Sequence, residues 1–333
     1  MKIFITGATG FIGNQLINRL SNTDHQLYCL VRNSNPAAER LKAMGINVVE
    51  GDVRDKASLL KAMEGCDWVM HLAGQYYFWE PDNRVYREAN VDGTRNVMES
   101  ALETKVSKVI HVSTAVIFGK PAENPFNEES APGPERFSRY ARTKYEGDMI
   151  VWNMYKDYGL PVVVVYPAPV CGPGDPKPSG QYVSDLINKR LPVTVLKNSR
   201  LTFVHVRDVA DAIVRAAEKP DNIGERYLIG QHPVKFWEVN KMVSEISGVS
   251  LPKISMPDFL TMANAYILTG LSRLTGKKPL WGMSVDQMKT MKQGISFDGS
   301  KAERELGLTY TPFLTALEEK IAGELKNHPQ KNL

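Results

Sequence analysis

Marked only as hydrophobic or polar, the chain opens on a short apolar run, Lys2-Ile3-Phe4-Ile5-Thr6. It breaks into glycines and resumes with Leu16, Ile17 and Leu20 at helical spacing. The same alternation then recurs. Strands are predicted over 26–31, 47–52, 68–74, 108–112 and 161–166, and helices over 14–20, 36–44, 56–63, 84–104 and around 140–144. The last of these strands is almost continuously apolar, as a parallel strand covered on both faces must be. Strands alternating with helices predict an α/β fold, a doubly wound and mostly parallel sheet. The last hundred residues break into smaller elements, predicting a second, smaller carboxyl-terminal part.

The first break carries chemistry. Gly7-Ala8-Thr9-Gly10-Phe11-Ile12-Gly13 joins a strand to a helix whose first N–H groups have no partner inside it, a place that favours an anion. Gly7 permits the tight turn, Gly10 lets backbone approach a pyrophosphate, and Gly13 lets the helix sit close on the strand. Thr9, Phe11 and Ile12 belong to the same cradle. The spacing is G-x-x-G-x-x-G rather than G-x-G-x-x-G, so the reading rests on the strand–turn–helix context. The second strand ends at Arg32, not at the carboxylate that accepts from a ribose 2′-hydroxyl. A guanidinium suits a 2′-phosphate, with Asn33 and Ser34 as neutral donors, so NADP(H) is expected over NAD(H). Gly51-Asp52-Val53 closes the third strand, and Asp52 either meets an adenine amino group or caps the following helix. The fourth ends in Leu72-Ala73-Gly74, small enough for a ribose to lie against backbone, while His71 reads as a packed strand residue.

Tyr76, Tyr77, Phe78 and Trp79 follow a strand end, where open α/β sheets bind ligands. They read equally as an apolar wall of a substrate pocket, through Tyr76, Tyr77 and Trp79, or as a satellite hydrophobic cluster. The fifth strand delivers Ser113-Thr114. Beyond a Pro- and Gly-rich loop, Tyr140 and Lys144 lie one helical turn apart on one face. An ammonium beside a phenol favours the phenolate and lowers its pKa. A hydroxyl from Thr114 or Ser113 could hold a substrate oxygen while Tyr140 exchanges its proton.

These stretches, with Asn90-Val91-Asp92-Gly93-Thr94, Tyr166-Pro167-Ala168-Pro169 and Phe203 to Ala210, make the sequence resemble an extended short-chain dehydrogenase/reductase over nearly its whole length. Within that family it is most similar to dihydroflavonol reductase-like and 3β-hydroxysteroid dehydrogenase-like reductases and to hopanoid-associated sugar epimerase-like proteins. The resemblance implies a Rossmann domain over 1–168 with 200–230 and a substrate domain over 169–199 with 231–326. It makes Thr114, five before Gly119, the active hydroxyl with Ser113 its neighbour, puts Lys144 also on the nicotinamide ribose, and sets Pro167 beside the nicotinamide. Two departures count. Family dehydratases carry Asp and Glu after the active Thr, where this chain has Ala115 and Val116. Family epimerases carry an arginine four residues before the His of a His-Val-x-Asp stretch, whereas Arg200 lies five before His205, itself read as structural.

Composition narrows the rest. The 333 residues carry a formal net charge of +4 without a basic run, which argues against nucleic acid as a partner. Cys29, Cys66 and Cys171 are scattered without metal-ligand spacing, so no metal is expected and a reducing, cytoplasmic setting is. The amino terminus lacks the layout of a signal peptide, and no uninterrupted apolar run is long enough to span a bilayer. Met256, Met262, Met283, Met288 and Met291 read as core filler in preference to an adaptable surface. Residues 259–274 read as an amphipathic helix that lids the cleft or packs a partner in a homodimer, and the tail from Asn327 is expected to fray. The function expected is reduction of an apolar ketone or aldehyde, a small-molecule carbonyl substrate, by NADP(H) with Tyr140 as general acid. The alternatives are a nucleotide-sugar epimerase with retained nicotinamide and a non-catalytic NADP-binding regulator.

Overall fold

A computed structural model describes residues 1–32, 36–231 and 233–327. Asn33, Ser34 and the tail beyond Asn327 lie outside the described residues. The central sheet is built from β1 (Lys2–Thr6), β2 (Gln26–Val31), β3 (Asn47–Glu50), β4 (Trp68–His71), β5 (Lys108–Val112), β6 (Val162–Pro167) and β10 (Arg226–Ile229). Their order is β10-β6-β5-β4-β1-β2-β3, with every neighbouring pair parallel. The chain starts mid-sheet, winds outward to β3, then crosses back past β1 to build the other half. The reversal between β1 and β4 opens a crevice at the strands' carboxyl ends. β5 and β6 are buried along their whole length, which is why they read as apolar runs.

The connecting helices are α1 (Phe11–Leu20), α2 (Pro36–Ala43), α3 (Lys56–Met63), α4 (Arg84–Arg87), α5 (Gly93–Glu103), α6 (Arg139–Tyr158) and α8 (Val206–Glu218). The single helix predicted over 84–104 is interrupted. α4 passes through a π turn at Glu88–Asp92 before α5 begins. α6 lies tight on that turn: a Cβ on Gly147 would stand 2.2 Å from the Asn90 carbonyl oxygen. The extra residue of the π turn turns Asn90 toward the crevice, which the simple period does not foresee.

The smaller part comprises β7 (Val170–Cys171), α7 (Pro178–Ile187), β8 (Arg200–Thr202), β9 (Val204–His205), β11 (Pro233–Lys235), α9 (Phe236–Ser247), α10 (Asp258–Thr275), α11 (Val285–Gln293), α12 (Ser300–Leu306) and α13 (Phe313–Asn327). β8 pairs with β11 and β9 with β7, so residues 200–205 build the small sheets, and the return to the central sheet starts with α8. α7, α9 and α13 share a core around Val183, Val239, Val243 and Leu317. Under α10 lies a second core of Val195, Leu196, Ala265, Met283 and Met288, with Met256, Met262 and Met291 packed on it. All three cysteines are free and buried.

Candidate active site

β1 ends at Thr6, and Gly7 turns the chain with φ of +75°. A Cβ there would meet the Ala73 nitrogen at 2.7 Å, and one on Gly13 would meet the Gly7 carbonyl oxygen at 2.1 Å. Turn, helix and β4 end therefore share a space that only glycine leaves open. Gly10 is the N-cap of α1, with no side-chain cap and no acidic residue in the first turn. The first intrahelical bond runs from the Asn14 N–H to the Gly10 carbonyl at 2.8 Å. The N–H groups of Phe11, Ile12 and Gly13 stand ahead of that bond, beside exposed Thr9. An uncapped helix start on a glycine turn fits a diphosphate.

Around this cradle the predicted positions fall as follows. Arg32 is exposed just after β2. Arg54 bonds Asp52 at 2.8 and 3.1 Å and holds its carboxyl below the usual range, with the charge of Arg32 adding to the effect. Asp52 does not cap α3. Asp55 does, accepting from the N–H groups of Ala57 at 3.0 Å and Ser58 at 3.4 Å. Val53 packs against α5, where a Cβ on Gly93 would stand 2.8 Å from its Cγ2. Leu72 packs on the core, and the Ala73 N–H donates to Thr6 Oγ1 at 3.2 Å. Gly74 clears Asn90, whose Oδ1 a Cβ would approach to 2.9 Å. Asn90 clamps the loop behind it, with Oδ1 accepting from the Gln75 N–H at 2.7 Å and Nδ2 donating to the Gln75 carbonyl at 2.9 Å and to Thr143 Oγ1 at 3.0 Å.

The polar end of the cleft is assembled from the ends of β5 and β6 and from α1 and α6. β5 delivers Ser113 and Thr114, and Thr114 caps the short turn that follows by accepting from Val116 N–H at 3.5 Å. α6, capped by Ser138, presents Tyr140 and Lys144 on successive turns. Ile12, Ser113, Thr114, Tyr140 and Pro167 line one cleft. Lys144 is buried, and its Nζ donates to the Val112 carbonyl at 3.0 Å.

The electrostatics differ from the simple expectation. Burial pushes the Tyr140 phenol up to about 12, with the Thr114 hydroxyl working against it. Lys144 contributes no lowering; burial brings its own pKa down to about 8, opposed by Asp148. Desolvation thus outweighs the ammonium in setting the phenol. Asp148, one turn beyond Lys144, is raised to about 6 by burial. Its Oδ2 accepts from the Tyr166 hydroxyl at 2.9 Å and Trp152 Nε1 at 3.1 Å. The Ser113 hydroxyl helps hold that carboxyl down, although Ser113 Oγ and Asp148 Oδ1 make no well-formed hydrogen bond. His71 is a packed residue, its ring bonded to Thr6 at 2.7 Å and Thr94 at 3.2 Å. His205 caps α8 by accepting from Arg207 N–H at 3.0 Å.

Away from Tyr140 the cleft turns apolar. About 210 Å³ of space is bounded by Tyr76, Phe78, Val116, Tyr182, Leu201, Phe203, Phe236 and Met288, among others. Phe78 stands edge-on to Tyr140 at 5.9 Å, and Lys177 lies 4.9 Å over the Tyr76 ring. Tyr77 stacks behind Tyr76 at 4.4 Å, outside the lining, while Trp79 lines a separate cavity with Arg139 and Arg273.

With this geometry in place, comparison assigns the chain. It belongs to the NAD dependent epimerase/dehydratase family. The match covers residues 3–230. A Synechocystis protein with the provisional name dihydroflavonol 4-reductase is 28% identical over 96% of this chain and 93% of its own length. Sterol demethylase protein B of Methylococcus capsulatus is 28% identical over 97% and 98%. The crystal structure of gox2253 superposes with a TM-score of 0.83 at 30% identity, covering 99% of each chain. This family member is an oxidoreductase of the extended short-chain type that uses a nicotinamide cofactor.

Asn90, Asp148, Lys177 and Leu201 were not among the residues that sequence reasoning put in the site, whereas Phe78 belonged to the aromatic run read as a possible pocket wall. Asp148 carried a signal, since it continues the four-residue spacing of Tyr140 and Lys144. Leu201 carried one too, as the residue four before His205. Lys177 and Asn90 reach the site through a loop and a π turn, which have no period to read.

Proposed function

We propose that this family member is an NADP(H)-dependent reductase of a ketone or aldehyde on an apolar substrate. One observation carries the reading: Tyr140 and Thr114, the pair read as placing the proton, close a cleft whose remaining walls are mostly hydrocarbon. At the position four before His205, where epimerases of the family hold a diphosphate with arginine, Leu201 lines the cleft, 6% exposed. Arg200 sits at the exposed start of β8. The arginine counter-charge for a nucleotide-sugar diphosphate is therefore missing at that position, and the cation that does line the cleft, Lys177, lies over the Tyr76 ring beside Asp175. The names of the sterol and flavonol relatives agree with an apolar substrate.

A nicotinamide cofactor whose diphosphate is held at the α1 cradle would supply the hydride that the carbonyl carbon accepts. The chain does the rest. Thr114 donates a hydrogen bond to the carbonyl oxygen and fixes its position. Tyr140, whose raised pKa keeps it protonated at neutral pH, gives that oxygen its proton as charge develops. Lys144 holds a positive charge near the same oxygen, and Ala115 and Val116 leave no second acid to carry dehydration. Phe78 and Tyr76 exclude water from the reacting carbon. Arg32 favours the cofactor with a 2′-phosphate by about ten- to a hundredfold, trimmed by its exposure.

The test is a substrate panel run with NADPH and NADH, beside dissociation constants for NADP and NAD at low and moderate salt. Aryl, sterol or long-chain ketones should turn over with NADPH consumed in equal amount, and NADP should bind more tightly with a salt-dependent margin. Interconversion of a UDP- or dTDP-sugar without net cofactor use would replace this reading with the epimerase.

A further inference from the structure

The outer face of α10 is the most exposed apolar surface of the described chain. Inward, Thr261, Ala265 and Ser272 are buried, and Ala265 seals the methionine-rich core behind the cleft. Outward, Phe259, Leu260, Tyr266, Ile267, Leu271 and Leu274 are each between 47% and 85% exposed. Leu260, Ile267, Leu271 and Leu274 recur at helical spacing, so they form one stripe and not scattered exceptions. The stripe continues into Leu280 and Trp281, both exposed, and Trp281 also lines the cleft.

Charge decides what this face fits. Residues 253–292 hold six cations, Lys253, Arg273, Lys277, Lys278, Lys289 and Lys292, against Asp258 and Asp286. That net of +4 equals the formal charge of the whole chain, so the other residues balance to zero. All six cations are exposed, and among the described residues none is in an ion pair. Lys289 and Lys278 instead reach over the rings of Tyr266 and Tyr77, at 5.7 and 5.0 Å. A second copy of the chain is a poor occupant, because a two-fold interface sets each patch against its own image, cation against cation. An apolar stripe rimmed by lysine and arginine suits the headgroup boundary of an anionic bilayer.

We propose that α10 docks this protein on the surface of an anionic membrane, with the stripe in the headgroup boundary and the exposed cations that border it on the lipid phosphates. No described helix is long and apolar enough to cross a bilayer, so the contact is peripheral. Docked this way, Trp281 and the cleft mouth face the lipid, and an apolar substrate enters without passing through water. Only that entry route rests on the reductase reading; the docking does not.

Flotation of the full chain with vesicles tests it. The natural protein should float with equal parts phosphatidylglycerol and phosphatidylcholine and bind at least about tenfold more weakly to phosphatidylcholine alone, with salt eroding the difference. Leu271→Asp with Leu274→Asp, and separately Lys277→Glu with Lys278→Glu, should each lower binding by about tenfold or more. Neither pair lines the cleft, so unfolding temperature and turnover on a water-soluble carbonyl should stay unchanged. Vesicle binding by a protein that reduces no carbonyl would support the docking while sinking the reductase reading. Equal binding by natural and doubly substituted proteins would overturn the docking. So would a natural dimer that ignores vesicles and falls to monomers in sedimentation velocity on Leu271→Asp with Leu274→Asp.

Discussion

The floor and the roof of the cleft follow opposite rules. The floor is the set of strand ends: Thr6, Ser113, Thr114 and Pro167, with Tyr140 and Lys144 leaning in from α6. Thr6 and Lys144 are held by buried hydrogen bonds, and the glycines beside them leave no room for a methyl group. The roof, from α7, β8, α9 and α11, is packed hydrocarbon with few polar anchors. On the proposed function, the polar floor fixes where a proton is given, and the apolar roof, built on other elements, sets which substrate arrives. Reaction and selectivity are in this way separable, on different elements of one chain.

The largest effect should come from breaking the floor. Tyr140→Phe removes the donor and little volume, so turnover should fall about 10²- to 10⁴-fold while nucleotide binding holds. Single-turnover kinetics beside a cofactor titration would show the split, and near-normal turnover would remove Tyr140 from the mechanism. Thr114→Ala should cost less. Should Ser113→Ala cost more than Thr114→Ala, the two hydroxyls have exchanged roles.

Breaking the roof should give a smaller effect of another kind. Leu201→Arg sets an unpaired charge in the hydrocarbon wall. KM for an apolar ketone should rise by about ten- to a hundredfold, with kcat changed far less, because the floor is untouched. A matching collapse of kcat would mean that roof and floor are one cooperative unit.

The same contrast explains what the sequence made legible. Floor residues sit at ends of periodic elements: strand–turn–helix order singled out Gly7 to Gly13, the end of the fifth strand offered Ser113 or Thr114, and helical spacing put Tyr140 and Lys144 on one face. Their electrostatics were less legible: the Tyr140 pKa, expected to be lowered, is raised by burial, which follows from packing and not from spacing. The roof is gathered from short, distant segments, so Leu201 and Lys177 meet only in three dimensions. In the aromatic run, Tyr76 and Phe78 enter the cleft and Tyr77 and Trp79 do not. The segment belongs to no strand or helix, and the Tyr76 and Tyr77 rings stack on each other at 4.4 Å, so no period in the sequence foretells the split. The helix cap fell to Asp55, three residues beyond Asp52, because α3 begins after an extra turn.

The smallest predicted effect lies just under the floor, where two histidines stack at 5.4 Å. His71 is bonded at both ring nitrogens, whereas among the described residues neither nitrogen of buried His111 has a partner. An unsatisfied buried polar group is expensive, and an apolar side chain of similar volume removes the expense. His111→Leu should therefore stabilise the protein by on the order of 1 kcal/mol, about 2 °C in Tm, net of the lost ring contact. His71→Leu should destabilise it, since Thr6 and Thr94 lose their partner. The pH dependence gives the sharper check. Burial and the charge of Lys144 hold both imidazoles below the ordinary value of 6.5, His71 at about 3. Between those limits the unfolded chain binds protons that the folded chain refuses, so stability falls as pH falls below 6.5. His111→Leu removes one such proton. Its advantage over the natural protein should be smallest at pH 7 and widen on acidification by about 1.4 kcal/mol per pH unit until His111 itself protonates. Urea titrations from pH 7 down to pH 5 would measure that slope, and a constant difference across the series would mean that His111 is already protonated, or already paired, in the folded state.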